Sequence, residues 1–516
     1  MMSLKNKNQS SQNVKTGKLY RTKVDYFGTI AMILLLVCSV ALFIQLMATQ
    51  MLTDLWAILA IVLLVVVNGA HVYVQLPLRY NKIGKIICGV LAVILSVVMI
   101  YGLIATGSVK NMIAKISGKL IEKEVTAVIV MDDDPAQTIF DASDYVFGYL
   151  NNADQELTEG MLTDIASQVG HQVKTKGYDS PTVLTDALYD DEIDALILNE
   201  GYIPILEGNE DYADFSEQTR IIYEYAIERE IENPTQSDVD LSKPFAVYCS
   251  GIDARDSDVN ITSKSDVNII AVINPQTHQI VLINTPRDYY LPLSFNGELD
   301  KLTHAGLYGI NESMSVLGDL YGINIAHYIR VNFNGLVDIV DALGGVDVNS
   351  EYDFTTRMMV IPNEDGDGFY KDCFSFSEGM NHLSGREALA FSRERYSFAS
   401  GDIQRGKNQM AVIKAIVDKA TSPSILSNYQ NLLTAVSDAF ITNFTYNDIA
   451  ALVKLQQKNM SGWNITSYTV YGSGGIDYTY SGGNAYVMYP DYDLVDNAKN
   501  MIQAVMNGEV PQLPED

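Results

Sequence analysis

DVNIIAVINPQTHQIVLINTPRD, residues 266–288, is the stretch from which the rest of the chain is read. DVNIIAVI (266–273) and HQIVLINTPRD (278–288) are β-branched runs on either side of Asn274-Pro275-Gln276-Thr277, so they read as strand, turn and strand. Working outward, FAVYCSGID (245–253) is a strand that ends in charge, and IAHYIRVNF (325–333) is another strand. A helix is expected over Asn311–Leu320. GLVDIVDALGGVDV (335–348) reads as a helix stopped by Gly344-Gly345 and followed by a strand. Ile403–Ala420 is an amphipathic helix with Ile413, Ile416, Val417 and Ala420 on its apolar face. Strands and helices in this order make residues 244–510 one α/β unit.

Upstream lies NPTQSDVDLSKP (233–244), a polar linker bounded by prolines. Before it, residues 108–231 form a smaller α/β domain. VTAVIVM (125–131) and IDALILN (193–199) are its strands, and Asp141–Ala166 and Glu217–Arg229 have helical spacing. The run Asp132-Asp133-Asp134 reads as a solvated loop rather than a cation site. NEDGDG (363–368) lacks the spacing and the closing Glu of an EF-hand and reads as a flexible loop.

The front of the chain is membrane. Phe27–Thr49, Leu55–Leu76 and Ile86–Thr106 are each apolar and long enough to cross a bilayer as a helix. The first is too long for a signal peptide, and two more follow. Lys and Arg crowd the tail (residues 1–26) and the second loop, which holds Arg79, Lys82 and Lys85; the first loop has none. The positive-inside rule then puts the tail and the second loop in the cytoplasm, and everything after about Gly107 outside.

Charge divides the chain the same way. Of 35 Lys/Arg and 63 Asp/Glu, nine and two fall in residues 1–106, leaving 26 and 61 beyond, a net −35. So acidic a body argues against nucleic acid as a partner, whose binding needs a basic face to displace counterions. Cys38 and Cys88 lie in the apolar spans. Cys249 and Cys373 lie outside, where the setting permits one disulfide between them as well as two free thiols; the bridge is the expected form.

The external 410 residues hold ten arginines. Arg287 closes the hairpin in TPRDYYLPL, Arg393 and Arg395 sit in FSRERYSF, and Arg405 follows in GDIQRGKNQ, one helical turn before Gln409. Arginines paired and placed at element ends suit phosphate oxygens through forked, charged hydrogen bonds, while a lone arginine is by default a surface ion pair. Asp253 ends one strand and Asp266 begins the next. Carboxylates so placed suit a hard divalent cation bridging to phosphate, or simple loop capping.

SGIDAR, SDVNIIAVINPQT, INTPRDYYLPL, KLTHAGLYG, VNFNGLVDIVDALGGVDV, LSGREALAFSRERYSF and GDIQRGKNQ, in that order, resemble the LytR-CpsA-Psr (LCP) family over residues 244–420 and on toward the C-terminus. Three spans and the domain at 108–231 resemble its CpsA-like branch, which carries an accessory domain. The resemblance implies an α-β-α core with an apolar pocket for a polyprenyl chain and, at its mouth, a diphosphate, Mg²⁺ (or Mn²⁺) and a ring of arginines. It implies transfer of wall teichoic acid, capsule or a related glycopolymer from undecaprenyl diphosphate to a muramic-acid hydroxyl of peptidoglycan.

By motif, Asp253 and Asp266 match the metal-site aspartates, and Arg287, Arg393, Arg395, Arg405 and Gln409 the phosphate-contacting set; Lys301, His304 and Asp402 match further motif positions. One departure is Lys264-Ser265-Asp266, where the family often has Arg-Ser-Asp. Lysine there keeps a charge without the fork. Displacing polyprenyl phosphate builds negative charge for Mg²⁺ and arginines to stabilise, and Asp266 or Asp402 is the base for the acceptor hydroxyl. Two other readings stand beside this one: a lipid-diphosphate hydrolase using water as acceptor, and a membrane-bound regulator that senses lipid-linked glycan.

Overall fold

Residues 266–288 form a hairpin of strands Ser265–Asn274 and Gln279–Asn284, paired antiparallel from Ile269 opposite Asn284 to Asn274 opposite Gln279. Asn274 makes the turn: its Oδ1 accepts the amides of Gln276 (3.0 Å) and Thr277 (3.3 Å). Its Nδ2 donates to the Val505 carbonyl at 2.8 Å and pins the hairpin to the last helix. The computed structural model describes residues 22–75, 82–116, 121–151, 155–230, 240–252, 263–362, 369–422, 440–458 and 462–514. Arg79, the linker residues 233–239, Asp253 and the NEDGDG stretch lie outside the described residues.

The hairpin is the centre of a six-stranded sheet. From one edge the order is Phe440–Thr442, His327–Asn332, Phe245–Ile252, Ser265–Asn274, Gln279–Asn284 and Asn464–Thr469. His327–Asn332 runs parallel to Phe245–Ile252, and Asn464–Thr469 parallel to Gln279–Asn284; the remaining pairs are antiparallel. Alternate residues serve opposite faces, which is why the strands read as almost unbroken apolar runs. Tyr248, Ile270, Val272, Val281 and Ile283 pack under helices Ile310–Tyr321 and Tyr492–Met506, with Leu317, Val495 and Ile502. Val247, Ile269, Ala271 and Leu282 pack against Met410 of helix Asp402–Ala420. The domain is an α-β-α sandwich.

The smaller domain is a second sheet, in the order Lys174–Tyr178, Val146–Leu150, Ala195–Asn199, Ile121–Met131, Thr219–Glu230. Two expectations fail here. Glu217–Arg229 is not a helix: Thr219–Glu230 is an edge strand paired with the whole of Ile121–Met131. Its sequence, TRIIYEYAIERE, also fits a period of two, and the long neighbouring strand selects that period. Within Asp141–Ala166, strand Val146–Leu150 precedes helix Gln155–Val169. The Asp132–Asp134 loop is a turn, and the Arg220 guanidinium donates to the carbonyls of Asp132, Asp134 and Ala136. By contact the two sheets belong to one unit, Asn111–Asp516.

Residues up to Lys110 form a separate unit. Its helices Lys23–Ala48, Asp54–Gln75 and Lys82–Ile116 are long and apolar enough to cross a membrane. Polar side chains join them: Lys85 Nζ lies 2.5 Å from Asp25, and Gln45 Nε2 donates to the Leu103 carbonyl at 2.8 Å. Such internal bonds satisfy groups that hydrocarbon would leave bare.

All four cysteines are free thiols, so the expected bridge between Cys249 and Cys373 is not formed. Cys249 is held inside the central sheet opposite Ile269 and Ile329, packed among apolar side chains, while Cys373 is exposed on a loop.

Candidate anion site

The loop Thr285–Asp288 leaves the hairpin and is bonded on both sides. Thr285 N–H donates to the Asn268 carbonyl (2.9 Å), Thr303 N–H to the Arg287 carbonyl (2.8 Å) and Met488 N–H to the Asp288 carbonyl (2.7 Å). Arg287 is thereby fixed beside the start of the adjoining strand, where its Nη1 lies 2.9 Å from Asp266 Oδ1. Asp288 takes Lys301 Nζ at 3.3 Å and Arg287 Nε at 3.6 Å. KLTHAGLYG closes on this strand start through Gly306: a Cβ there would stand 2.5 Å from the Ser263 carbonyl oxygen.

Helix Asp402–Ala420 adds the next charges. Gly406 lets it come close to the hairpin, since a Cβ would meet Asn284 Nδ2 at 2.1 Å. In its first turn Asp402 Oδ2 pairs with Arg405 Nη2 (2.8 Å), and Oδ1 lies 3.7 Å from Arg395 Nη1. Gln409 follows one turn later on the same helix. Arg395 comes from the loop after helix Gly385–Arg393, which Ser384 and Glu387 cap reciprocally. That loop turns around Glu394, a fully buried carboxylate that accepts the amides of Tyr396 (2.6 Å), Ser397 (2.9 Å) and Arg357 (2.8 Å).

The electrostatics bind these groups into one cluster. Burial disfavours the charged form of Arg287, but Asp266 and Asp288, with Asp402 farther off, outweigh it and raise its pKa. Arg405 is held below its ordinary value by burial, against the pull of Asp402, with Arg287 and Arg395 adding repulsion. The hydrogen bond from Arg395 lowers the Tyr396 hydroxyl. Burial raises that of Tyr486, and the carboxylates of Asp288 and Asp402 raise it further. Three guanidinium groups therefore stand together, held by carboxylates that an incoming polyanion can replace.

The structure thus brings together Asp266, Arg287, Lys301, Arg395, Asp402 and Arg405. Arg393 lies at its helix end with its guanidinium 4.1 Å above the Phe333 ring. His304 is buried, its Nδ1 2.6 Å from Asp300 Oδ1. The Ser481 amide and hydroxyl hold the other Asp300 oxygen, so His304 braces the segment that presents Lys301. Sequence reasoning assigned no role to Asp288, Glu394, Arg357 or Tyr486. Asp288 and Glu394 directly adjoin assigned arginines, which is the signal that was there to use.

Among the described residues no three His, Cys, Asp or Glu side chains gather as a metal site. Asp266 fits a cation in part: its side chain is partly exposed, and among the described residues only Oδ1 takes a hydrogen bond, from Arg287.

Fold and site define an α/β domain that gathers arginines around exchangeable carboxylates, on a chain with three apolar helices. A model of the LytR_cpsA_psr family matches residues 215–503, and the chain belongs to this family. The match starts upstream of residue 244 and takes in the edge strand Thr219–Glu230. The chain is 33% identical over 243 residues to the polyisoprenyl-teichoic acid–peptidoglycan teichoic acid transferase TagU of Enterococcus faecalis, covering 45% of this chain and 75% of that one. Against the TagU of Bacillus cereus it is 32% identical over 231 residues, 44% of this chain and 70% of that one. Among solved structures, Bacillus subtilis TagV is 23% identical with a TM-score of 0.41, covering 52% of this chain and 98% of that one.

Proposed function

We propose that this protein is a membrane-anchored transferase that moves a glycan phosphate from a polyprenyl diphosphate to peptidoglycan on the outer side of the membrane. The observation that carries the reading is the cluster of Arg287, Arg395 and Arg405 interleaved with Asp266, Asp288 and Asp402. The names of the TagU relatives support the donor and acceptor.

The chemistry follows from exchange of partners. Arg395 and Arg405 leave Asp402 for the donor phosphates, and Arg287 adds its charge from the hairpin side. The same guanidinium groups stabilise the charge that builds on the phosphoryl and leaving oxygens as polyprenyl phosphate departs. Asp402, released from both arginines, takes the proton of the acceptor hydroxyl. Asp266 and Asp253 are the side chains for Mg²⁺, which when bound supplies further positive charge to the phosphate oxygens.

Asp402→Asn tests this division of labour. It should keep or tighten donor binding, because it unmasks two arginines, and should abolish turnover at saturating donor. Native turnover in the variant would remove Asp402 as the base. Arg395→Lys and Arg405→Lys should each recover only part of the rate, since lysine keeps the charge and loses the fork.

A further inference from the structure

Beside the arginine cluster the chain forms a two-stranded ribbon, Gly472–Thr479 with Gly483–Pro490, whose exposed face the reading above does not use. Its register sets Ile476 opposite Tyr486 and Tyr478 opposite Asn484, and puts Gly474 on the same face. Ile476, Tyr478 and Tyr486 are 70%, 55% and 48% exposed. A Cβ at Gly474 would fall 2.7 Å from the Tyr486 hydroxyl and 3.1 Å from its Cζ, so only glycine lets that ring lie across the ribbon. Asn484, directly across from Tyr478, offers an exposed amide, donor and acceptor, on the same face.

The ribbon is continuous with the site. Met488 N–H donates to the Asp288 carbonyl, Tyr290 Oη to the Tyr478 carbonyl (2.5 Å), and Tyr480 N–H to the Leu299 carbonyl (3.1 Å). Its face therefore begins beside the charges that hold the phosphates. The face of Gly474, Ile476, Tyr478, Asn484 and Tyr486 carries no charged side chain; Asp477 belongs to the opposite face, where the Tyr489 hydroxyl donates to it at 3.1 Å. Such a surface offers a polyanionic glycopolymer no cation to pair with and suits uncharged sugar rings.

We propose that Tyr478, Ile476 and Tyr486, with Asn484, form a platform for the acceptor glycan, on which N-acetylated pyranose rings of a peptidoglycan strand stack. This rests on the transferase reading for its biological sense. Tyrosine faces carry negative potential and attract the C–H groups of a sugar face. Diagonal cross-strand neighbours such as Tyr478 and Tyr486 stand about 7–8 Å apart at the backbone, within the reach of one disaccharide unit. The Asn484 amide serves an acetamido group or hydroxyl.

The test is equilibrium binding, which needs no transfer. Full-length protein in detergent is titrated with a tetrasaccharide of alternating N-acetylglucosamine and N-acetylmuramic acid whose lactyl carboxyls are amidated and so uncharged, and separately with poly(glycerol phosphate) and a lipid-diphosphate disaccharide. The combined Tyr478→Ala and Tyr486→Ala variant should lose about tenfold or more in tetrasaccharide affinity, and Tyr478→Ala alone, which lies away from the arginine cluster, should bind the lipid diphosphate as the native chain does. The combined Tyr→Phe variant keeps the rings and fold and should bind the tetrasaccharide within about threefold of native. Tetrasaccharide binding unchanged in the alanine variant overturns the platform, as does poly(glycerol phosphate) binding that depends on the two tyrosines, which would make the surface a donor site. Tyrosine-dependent tetrasaccharide binding in a chain that never transfers glycan would keep the platform and sink the transferase reading.

Discussion

Glu394→Gln changes one atom of the carboxylate on which the Arg395 loop turns. Glu394 accepts the amides of Tyr396 and Ser397 on Oε1, at 2.6 and 2.9 Å, and that of Arg357 on Oε2, at 2.8 Å. In the glutamine, the carbonyl oxygen keeps the first two as neutral bonds, each weaker by about 1 kcal/mol. The new NH₂ faces the Arg357 N–H and leaves a buried donor unmet, at about 1–3 kcal/mol. The loss of about 3–5 kcal/mol falls on the loop and not on the distant sheet, and shifts its open-to-closed ratio by roughly 10²–10⁴-fold. Hydrogen exchange on the full chain reads this directly. The peptide covering 391–398 should exchange at least a hundredfold faster, while one covering 266–274 stays at its native rate. Exchange of the first within threefold of native would refute the loop's dependence on Glu394.

Three further outcomes are expected. Burial holds the His327 imidazole below its ordinary 6.5, against Asp448 and Asn443; the unfolded chain therefore takes up a proton first, and stability present above pH 6.5 is lost as pH falls toward the depressed value, at up to about 1.4 kcal/mol per pH unit. Urea midpoints at pH 7.5 and 5.5 should show this drop in the native chain and a smaller one in His327→Phe, and equal drops would contradict it. Cys373 should react with maleimide at once in the non-reduced native protein, and Cys249, buried with its thiol pushed up to about 12, only on unfolding; a linked pair in peptide mapping would overturn this. An enzymatic reporter fused after Gly107 should be active outside the membrane and one at Asn81 inside, and the reverse pattern would place the arginine cluster in the cytoplasm.

The central sheet was legible because both of its faces are buried. A strand covered on both sides has no polar alternation to blur it, and Asn274-Pro275 marks the turn. Thr219–Glu230 was misread because Ile221, Tyr223, Tyr225 and Ile227 suit an edge strand as well as a helix; the choice belongs to Ile121–Met131, far away in sequence. The same distance hid the site's inner order. Arg287 with Asp266, and Arg395 with Asp402, are each joined across a change of element, and only the fold makes them partners. Asp288 and Glu394 stood inside the quoted motifs, yet an acid beside an arginine reads as an ordinary surface pair until burial and bond direction are known.

The most direct measurement is the covalent product. Full-length protein in detergent is given a polyprenyl-diphosphate-linked glycan, peptidoglycan and Mg²⁺, and the wall is then digested with a muramidase and weighed by mass spectrometry. The account predicts glycan joined to a muramic-acid residue through a phosphodiester, with one polyprenyl phosphate released per attachment, and neither product from Arg395→Ala or Arg405→Ala. Free glycan phosphate with an unmodified wall would mean that water is the acceptor, and would contradict the transferase.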